Sequence, residues 1–177
     1  ATWSTKREWV DYAFSELERA GYTVTSGYTA VRDVERTRFV YRDALWTGAD
    51  LIGAGVASFS HIGGVHFQNV TEIGQYIETV ERGELPTLRA MATTPEERMI
   101  REFILQMKLG RVRAEYFMQK FRISVRERFE PQWVDLMRRG LGAWTGECFE
   151  LTRSALLKVD TLLHAFFLPQ HQNSRYT

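Results

Sequence analysis

Val10, Phe14 and Leu17 fall on one helical face, and Thr5 with Glu8 forms a T-x-x-E capping box, so the pattern predicts a helix up to Gly21. The next stretch, YTVTS, alternates as a strand does. A helix leading straight into a strand reads as half of an α/β unit and predicts the edge of an incomplete parallel sheet. Residues 27–40 read as a loop, with a short strand around Phe39 to Tyr41. Asn69 or Thr71 is placed to cap a helix with Ile73, Tyr76, Ile77 and Val80 on its inner face, ending at Gly83. The run GELPTLRAMATTP reads as a connector and as the best domain boundary in the chain.

Beyond it, Thr94-Pro95-Glu96-Glu97 opens a helix that carries Ile100, Phe103, Ile104 and Met107. A short helix over 114–121 follows. Ser124 caps another, with Phe129, Trp133 and Leu136 or Met137 facing inward until Gly140. AWTGECFELT has the form of a small hairpin around Thr145-Gly146, with Trp144, Phe149 and Leu151 on its strands. Thr152 then caps a last helix with Leu156, Val159, Leu163 and Phe166, stopped by Pro169. Three helices, a hairpin and a helix make the second half winged-helix-like.

Between the halves lies YRDALWTGADLIGAGVASFSHIGGVHFQN, residues 41–69. Its glycines at 48, 53, 55, 63 and 64 are too dense for a helix, and its Leu51, Ile52, Val56 and Phe59 are too apolar for a surface loop. The tract reads either as a turn that merely packs or as a ribbon whose open backbone grips a flat ligand.

Composition narrows the classes. The chain has 177 residues, 44% apolar, 13% aromatic and 25% charged, which suits one compact domain or slightly more. Lys and Arg number 23 against 22 Asp and Glu, so no global charge favours nucleic acid or acidic lipid. No apolar run approaches the roughly 20 residues of a membrane span, and no signal-peptide pattern opens the chain. The lone Cys148 rules out a disulfide framework and fits a reducing, cytoplasmic setting. It also rules out a cluster or zinc site built from this chain's thiolates, so no metal ligand set is expected here. The chain opens on Ala1 rather than methionine and is expected to begin partway through a longer protein.

A winged helix raises DNA binding. The helix from Ser124 to Arg139 carries Arg126, Arg128, Arg138 and Arg139, yet Glu127, Glu130 and Asp135 share its surface and oppose entry among phosphates. His61 and His66, five apart, suit neither a helical pair nor one face of a single strand, although the glycines between them allow them to meet. Beside them stands the plain reading of a packed loop histidine. His164 reads as structural and Cys148 as a small apolar residue without an activating base. Gly53-Ala54-Gly55 lacks the third glycine of a dinucleotide fingerprint.

The glycine tract resembles a segment of oxygen-independent coproporphyrinogen III oxidases and their relatives among radical S-adenosylmethionine enzymes. An aromatic-Arg start, a D-L-[IL]-G-x-G-V centre and the terminal Gln68-Asn69 carry the resemblance. It extends to EWVDYAFSELERAGY upstream, and downstream to TPEERMIREFILQMKLGRV and LTRSALLKVDTLLHAFFL. The resemblance implies an α+β, mainly helical chain: the last α/β elements of a partial (β/α) barrel, then a winged-helix-like C-terminal domain. Residues 1–89 would close the barrel and supply the glycine-rich loop, and residues 90–177 would form the helical domain.

The same resemblance implies a 4Fe-4S cluster held by a CxxxCxxC motif in an N-terminal barrel that is missing here. It also implies S-adenosylmethionine as cofactor and a small-molecule tetrapyrrole as substrate, two of whose propionates become vinyl groups. Gly53, Gly55 and the backbone near Ile62 match the part of the pattern close to the cofactors. Gly48 matches a glycine that follows glutamine in the oxidase, where this chain has Thr47. Methyltransferase, cyclopropane-forming and haem-handling relatives share the scaffold. A free-standing winged-helix module and a haem-binding carrier complete the alternatives. Alone, the 177 residues are expected to be inactive, and neither a membrane nor nucleic acid is an expected partner.

Overall fold

The computed structural model describes residues 1–172. Along the chain run α1 (Trp3–Arg19), β1 (Thr23–Ser26), β2 (Thr29–Val31), α2 (Val40–Trp46), β3 (Phe59–Ile62), β4 (Val65–Asn69), α3 (Ile73–Glu81) and β5 (Thr87–Ala92). There follow α4 (Pro95–Met107), β6 (Arg111–Arg113), α5 (Ala114–Phe121), α6 (Val125–Arg128), α7 (Glu130–Arg138), β7 (Gly142–Thr145), β8 (Cys148–Leu151), α8 (Arg153–Leu156) and α9 (Val159–Leu163). The mixture of helix and strand matches the α+β expectation. Two compact units emerge, one from residues 1–40 with 99–177, the other from residues 41–98.

The first unit holds the apolar core. Phe103 lies at its centre, with the rings of Phe117, Phe129, Trp133 and Phe166 at 4.6 to 5.6 Å. Such offset and edge-on pairs add to the burial energy of each ring. The Trp133 indole N–H donates to the Val125 carbonyl at 2.9 Å, so the largest buried side chain leaves no polar atom unsatisfied. Strands order as β6-β8-β7, all antiparallel. The predicted hairpin is present, and Arg111–Arg113 adds a third strand that its exposed arginines had hidden.

In the same unit, α1 begins a turn earlier than the Thr5 box predicts, with the Thr2 side chain accepting from the Thr5 N–H. Arg153 fastens this helix by donating to Asp11 at 2.9 Å and Glu18 at 3.1 Å, its guanidinium over the Phe14 ring. The YTVTS strand is not a parallel edge. β1 turns at Gly27 and pairs antiparallel with β2, inside the predicted loop. Ser26 stabilises that turn by accepting from the Tyr28 N–H, and the Tyr28 hydroxyl donates to Asp160 at 2.7 Å.

Two predicted helices are broken. Pro131 at the start of α7 divides the Ser124 helix, because proline is tolerated only in a helix's first turn. The last helix divides into α8, α9 and a short 3-10 turn over His164–Phe166.

The second unit is built on the antiparallel sheet β3-β4-β5. The Gly63-Gly64 turn joins β3 to β4 with φ of +56° and +81°, the double left-handed geometry that favours glycine at both positions. Three expectations fail here. Residues around Phe39 to Tyr41 are not a strand but lead into α2, since no neighbouring strand pairs with them. The 83–95 connector contains β5, whose six residues are all exposed and so show no buried alternation. Helix α3 is capped by Glu72, not Asn69 or Thr71. Its supposed inner face is open, with Ile73, Ile77 and Val80 between 46% and 63% exposed.

Candidate functional site

The glycine tract becomes a ribbon pinned to the sheet by its own polar groups. Helix α2 ends at Trp46; the hydroxyl of the next residue, Thr47, donates to the Asp43 carbonyl at 2.8 Å, and Gly48 turns the chain out with φ +86°. Leu51 then exchanges backbone hydrogen bonds with His61 at 2.8 Å in both directions. The Asp50 carboxylate accepts from the Gly63 N–H at 3.1 Å. This run lays residues 50–51 along the end of β3, where Ile62 stands.

Past the bridge, Gly53 donates its N–H to the Ser60 hydroxyl at 3.0 Å, and Gly55 donates to the Tyr76 hydroxyl at 2.9 Å. Asn69 closes the loop, its amide donating to the carbonyls of both Gly53 and Gly55 at 3.0 Å. A Cβ on Gly53 would lie 2.4 Å from the Phe59 carbonyl oxygen, so this close approach requires glycine. Ser60, Asn69 and Tyr76 hold the ribbon in place, a role that sequence reasoning missed. Asn69 carried a signal, being the last residue of the resembling segment, but it reads there as a helix cap.

The structure therefore joins Gly53 and Gly55 through one asparagine. Thr47 and Gly48 lie apart at the end of α2, and Ile62 lies at the far end of β3. The two glycine N–H groups expected to face a ligand are spent on Ser60 and Tyr76. What the ribbon presents outward is apolar: Ile52 is 75% exposed and Val56 37%. Buried side chains in residues 41–98 are chiefly polar, namely Ser60, His61, Gln68, Asn69 and Thr79, joined by Val70 and Pro86. Most apolar side chains of this unit point away from any core, as a surface made to be covered would show.

His61 and His66 do meet, because the two-glycine turn makes them direct cross-strand partners. Their ring centroids are 6.0 Å apart, and Phe59 stacks on His66 at 5.5 Å with an interplanar angle of 9°. No group of three or more His, Cys, Asp or Glu side chains that could hold a metal ion occurs among the described residues. Burial, then the charge of Glu150, push the Cys148 thiol up, away from a reactive thiolate. Among the described residues no helix is long and apolar enough to cross a membrane.

Comparison with known proteins gives a consistent answer. No family model matches the chain. The oxygen-independent coproporphyrinogen III oxidase of Pseudomonas aeruginosa is 28% identical over 134 residues, covering 72% of this chain and 29% of the relative. The enzyme of the same name from Helicobacter pylori is 24% identical over 176 residues, covering 91% of this chain and 38% of the relative. The chain thus spans about a third of the length of these relatives.

A solved structure, that of coproporphyrinogen III oxidase (HemN) from Escherichia coli, described as a radical SAM enzyme, superposes with a TM-score of 0.69 at 19% identity. It covers 88% of this chain and 39% of the other, and shows that the fold is shared. The curated relatives are oxygen-independent coproporphyrinogen III oxidases, the family that the glycine tract resembles.

Proposed function

We propose that these 177 residues are the C-terminal part of a coproporphyrinogen-oxidase-like radical S-adenosylmethionine enzyme of haem biosynthesis. The observation that carries this reading is the similarity of most of the chain to oxidases more than twice its length. In this reading residues 1–89 complete the catalytic portion, and residues 90–177 form its winged-helix-like C-terminal domain. The pinned ribbon is one wall of the cavity that receives S-adenosylmethionine and the tetrapyrrole, with Thr47, Gly48, Gly53, Gly55 and Ile62 nearest the cofactor. Support comes from the outward Ile52 and Val56, and from a unit whose apolar residues largely lack a core of their own. A broad apolar wall excludes water and takes the flat faces of a tetrapyrrole.

The residues present do not fit a 4Fe-4S cluster. Its cysteines must come from other polypeptide, since the chain has one, with its thiol shifted away from ionisation. S-adenosylmethionine would rest on the ribbon's outward apolar side chains, since the N–H and carbonyl groups of Gly53 and Gly55 are already hydrogen-bonded to Ser60, Tyr76 and Asn69. The similarity does not favour the methyltransferase, cyclopropane-forming, DNA-binding or haem-carrier readings. The test is anaerobic assay of the longer protein that contains this chain, reconstituted with iron and sulfide. It is expected to form 5′-deoxyadenosine and decarboxylate coproporphyrinogen III, while the 177 residues alone do neither. Cleavage of S-adenosylmethionine without any change in coproporphyrinogen would reject the substrate, and no cleavage would reject the class.

A further inference from the structure

His61, His66 and Met91 form one row across three strands. The register pairs His61 with His66 and His66 with Met91, and residues directly opposite one another in a sheet share a face. From these positions we infer that the row is a binding site for a single soft metal ion, cuprous copper by its donor set. Two imidazoles and a thioether are ligands that Cu(I) accepts and that magnesium or calcium does not.

The separation of the rings suits one ion. With metal–nitrogen bonds of about 2.0 Å, two imidazoles on one metal place their centroids roughly 5 to 6.4 Å apart between tetrahedral and linear arrangements. The observed 6.0 Å lies in that range. The row is also built to stay in place. The Gly63-Gly64 turn sets the register; Asp50 holds Gly63, and the Thr93 N–H donates to the Gly64 carbonyl at 2.8 Å. Phe59 stacks on His66 and restricts its ring. His61 is buried at 4% exposure while Met91 is 44% exposed, so the row runs from the sheet interior to solvent, which gives an ion a way in. Adjacent strands about 4.8 Å apart leave no room for a macrocycle between the two imidazoles, so the pair favours an ion over haem.

The experiment uses the 177-residue chain carrying Cys148→Ser, which removes the chain's one thiol as a competing ligand. Anaerobic titration with Cu(I) from its coloured bicinchoninate complex is expected to show one equivalent withdrawn from the chelator. Adding His66→Phe, which keeps an aromatic ring against Phe59, is expected to abolish that equivalent. Adding Met91→Leu is expected to weaken Cu(I) binding and leave Zn(II) binding unchanged. Copper-edge X-ray absorption on the Cys148→Ser chain, which needs no further variant to fold, is expected to show two nitrogen neighbours and one sulfur. Failure of the Cys148→Ser chain to withdraw copper, retention of the equivalent by a folded His66→Phe chain, or an absorption spectrum without nitrogen neighbours would each overturn the assignment.

Discussion

Gly53 stands closer to neighbouring backbone than a side chain allows, with the Phe59 carbonyl where a Cβ would go. Replacing it with alanine must push the ribbon off β3 and break the bonds to Ser60 and Asn69. We expect Gly53→Ala to destabilise the second unit by about 2–4 kcal/mol, the scale of overpacking combined with lost buried hydrogen bonds. Hydrogen exchange of the amides of 53–60 is the readout, and unchanged protection there would show that the ribbon is not pinned as described. The tract's glycines were visible in the sequence as a group, and so was their need for an unusual backbone. Their separate duties were not visible, because the Phe59 carbonyl that excludes a Cβ comes into range only once the chain has folded back.

Helices announce themselves through caps and periodicity, and most of them were legible for that reason. The Thr94 to Glu97 box is formed as the pattern implies, Thr94 donating to Glu97 and accepting from its N–H. Helix α3 shows the limit of that logic. Its apolar stripe reads as an inner face, yet the stripe is exposed and the buried residue is Thr79. An amphipathic pattern says that a face is to be covered, not which polypeptide covers it. Strand β5 escaped notice because both of its faces are exposed, and β2 because three residues carry too little pattern.

The cap of α3 gives a prediction at this scale. The N–H groups of Gln75 and Gly74 donate to Glu72 and hold its carboxyl below the usual carboxylate range. A folded-state pKa below the unfolded one means that the cap stabilises above the unfolded value, near 4.5, and that this is lost as pH falls through the folded value. Glu72→Gln is therefore expected to lower stability at pH 7 and to flatten its decline in acid. Parallel pH-stability curves for the two proteins would contradict it.

For the molecule as a whole, the two units differ in kind. The unit of residues 1–40 and 99–177 carries a dense aromatic core around Phe103 and Trp133, which the helical periodicity of residues 99–136 made legible. That residues 1–40 belong with it was not legible, because contacts such as Arg153 with Asp11 span 142 residues of sequence. The unit of residues 41–98 buries chiefly polar side chains and leaves most of its apolar ones exposed. In the proposed reading further polypeptide would cover that surface, and the greater length of the relatives supports that reading. The most direct test of the proposal is to sequence the coding region upstream of Ala1. We predict an open frame continuing into it that encodes CxxxCxxC within the preceding few hundred residues. A frame that continues over that length without the three cysteines would contradict the account.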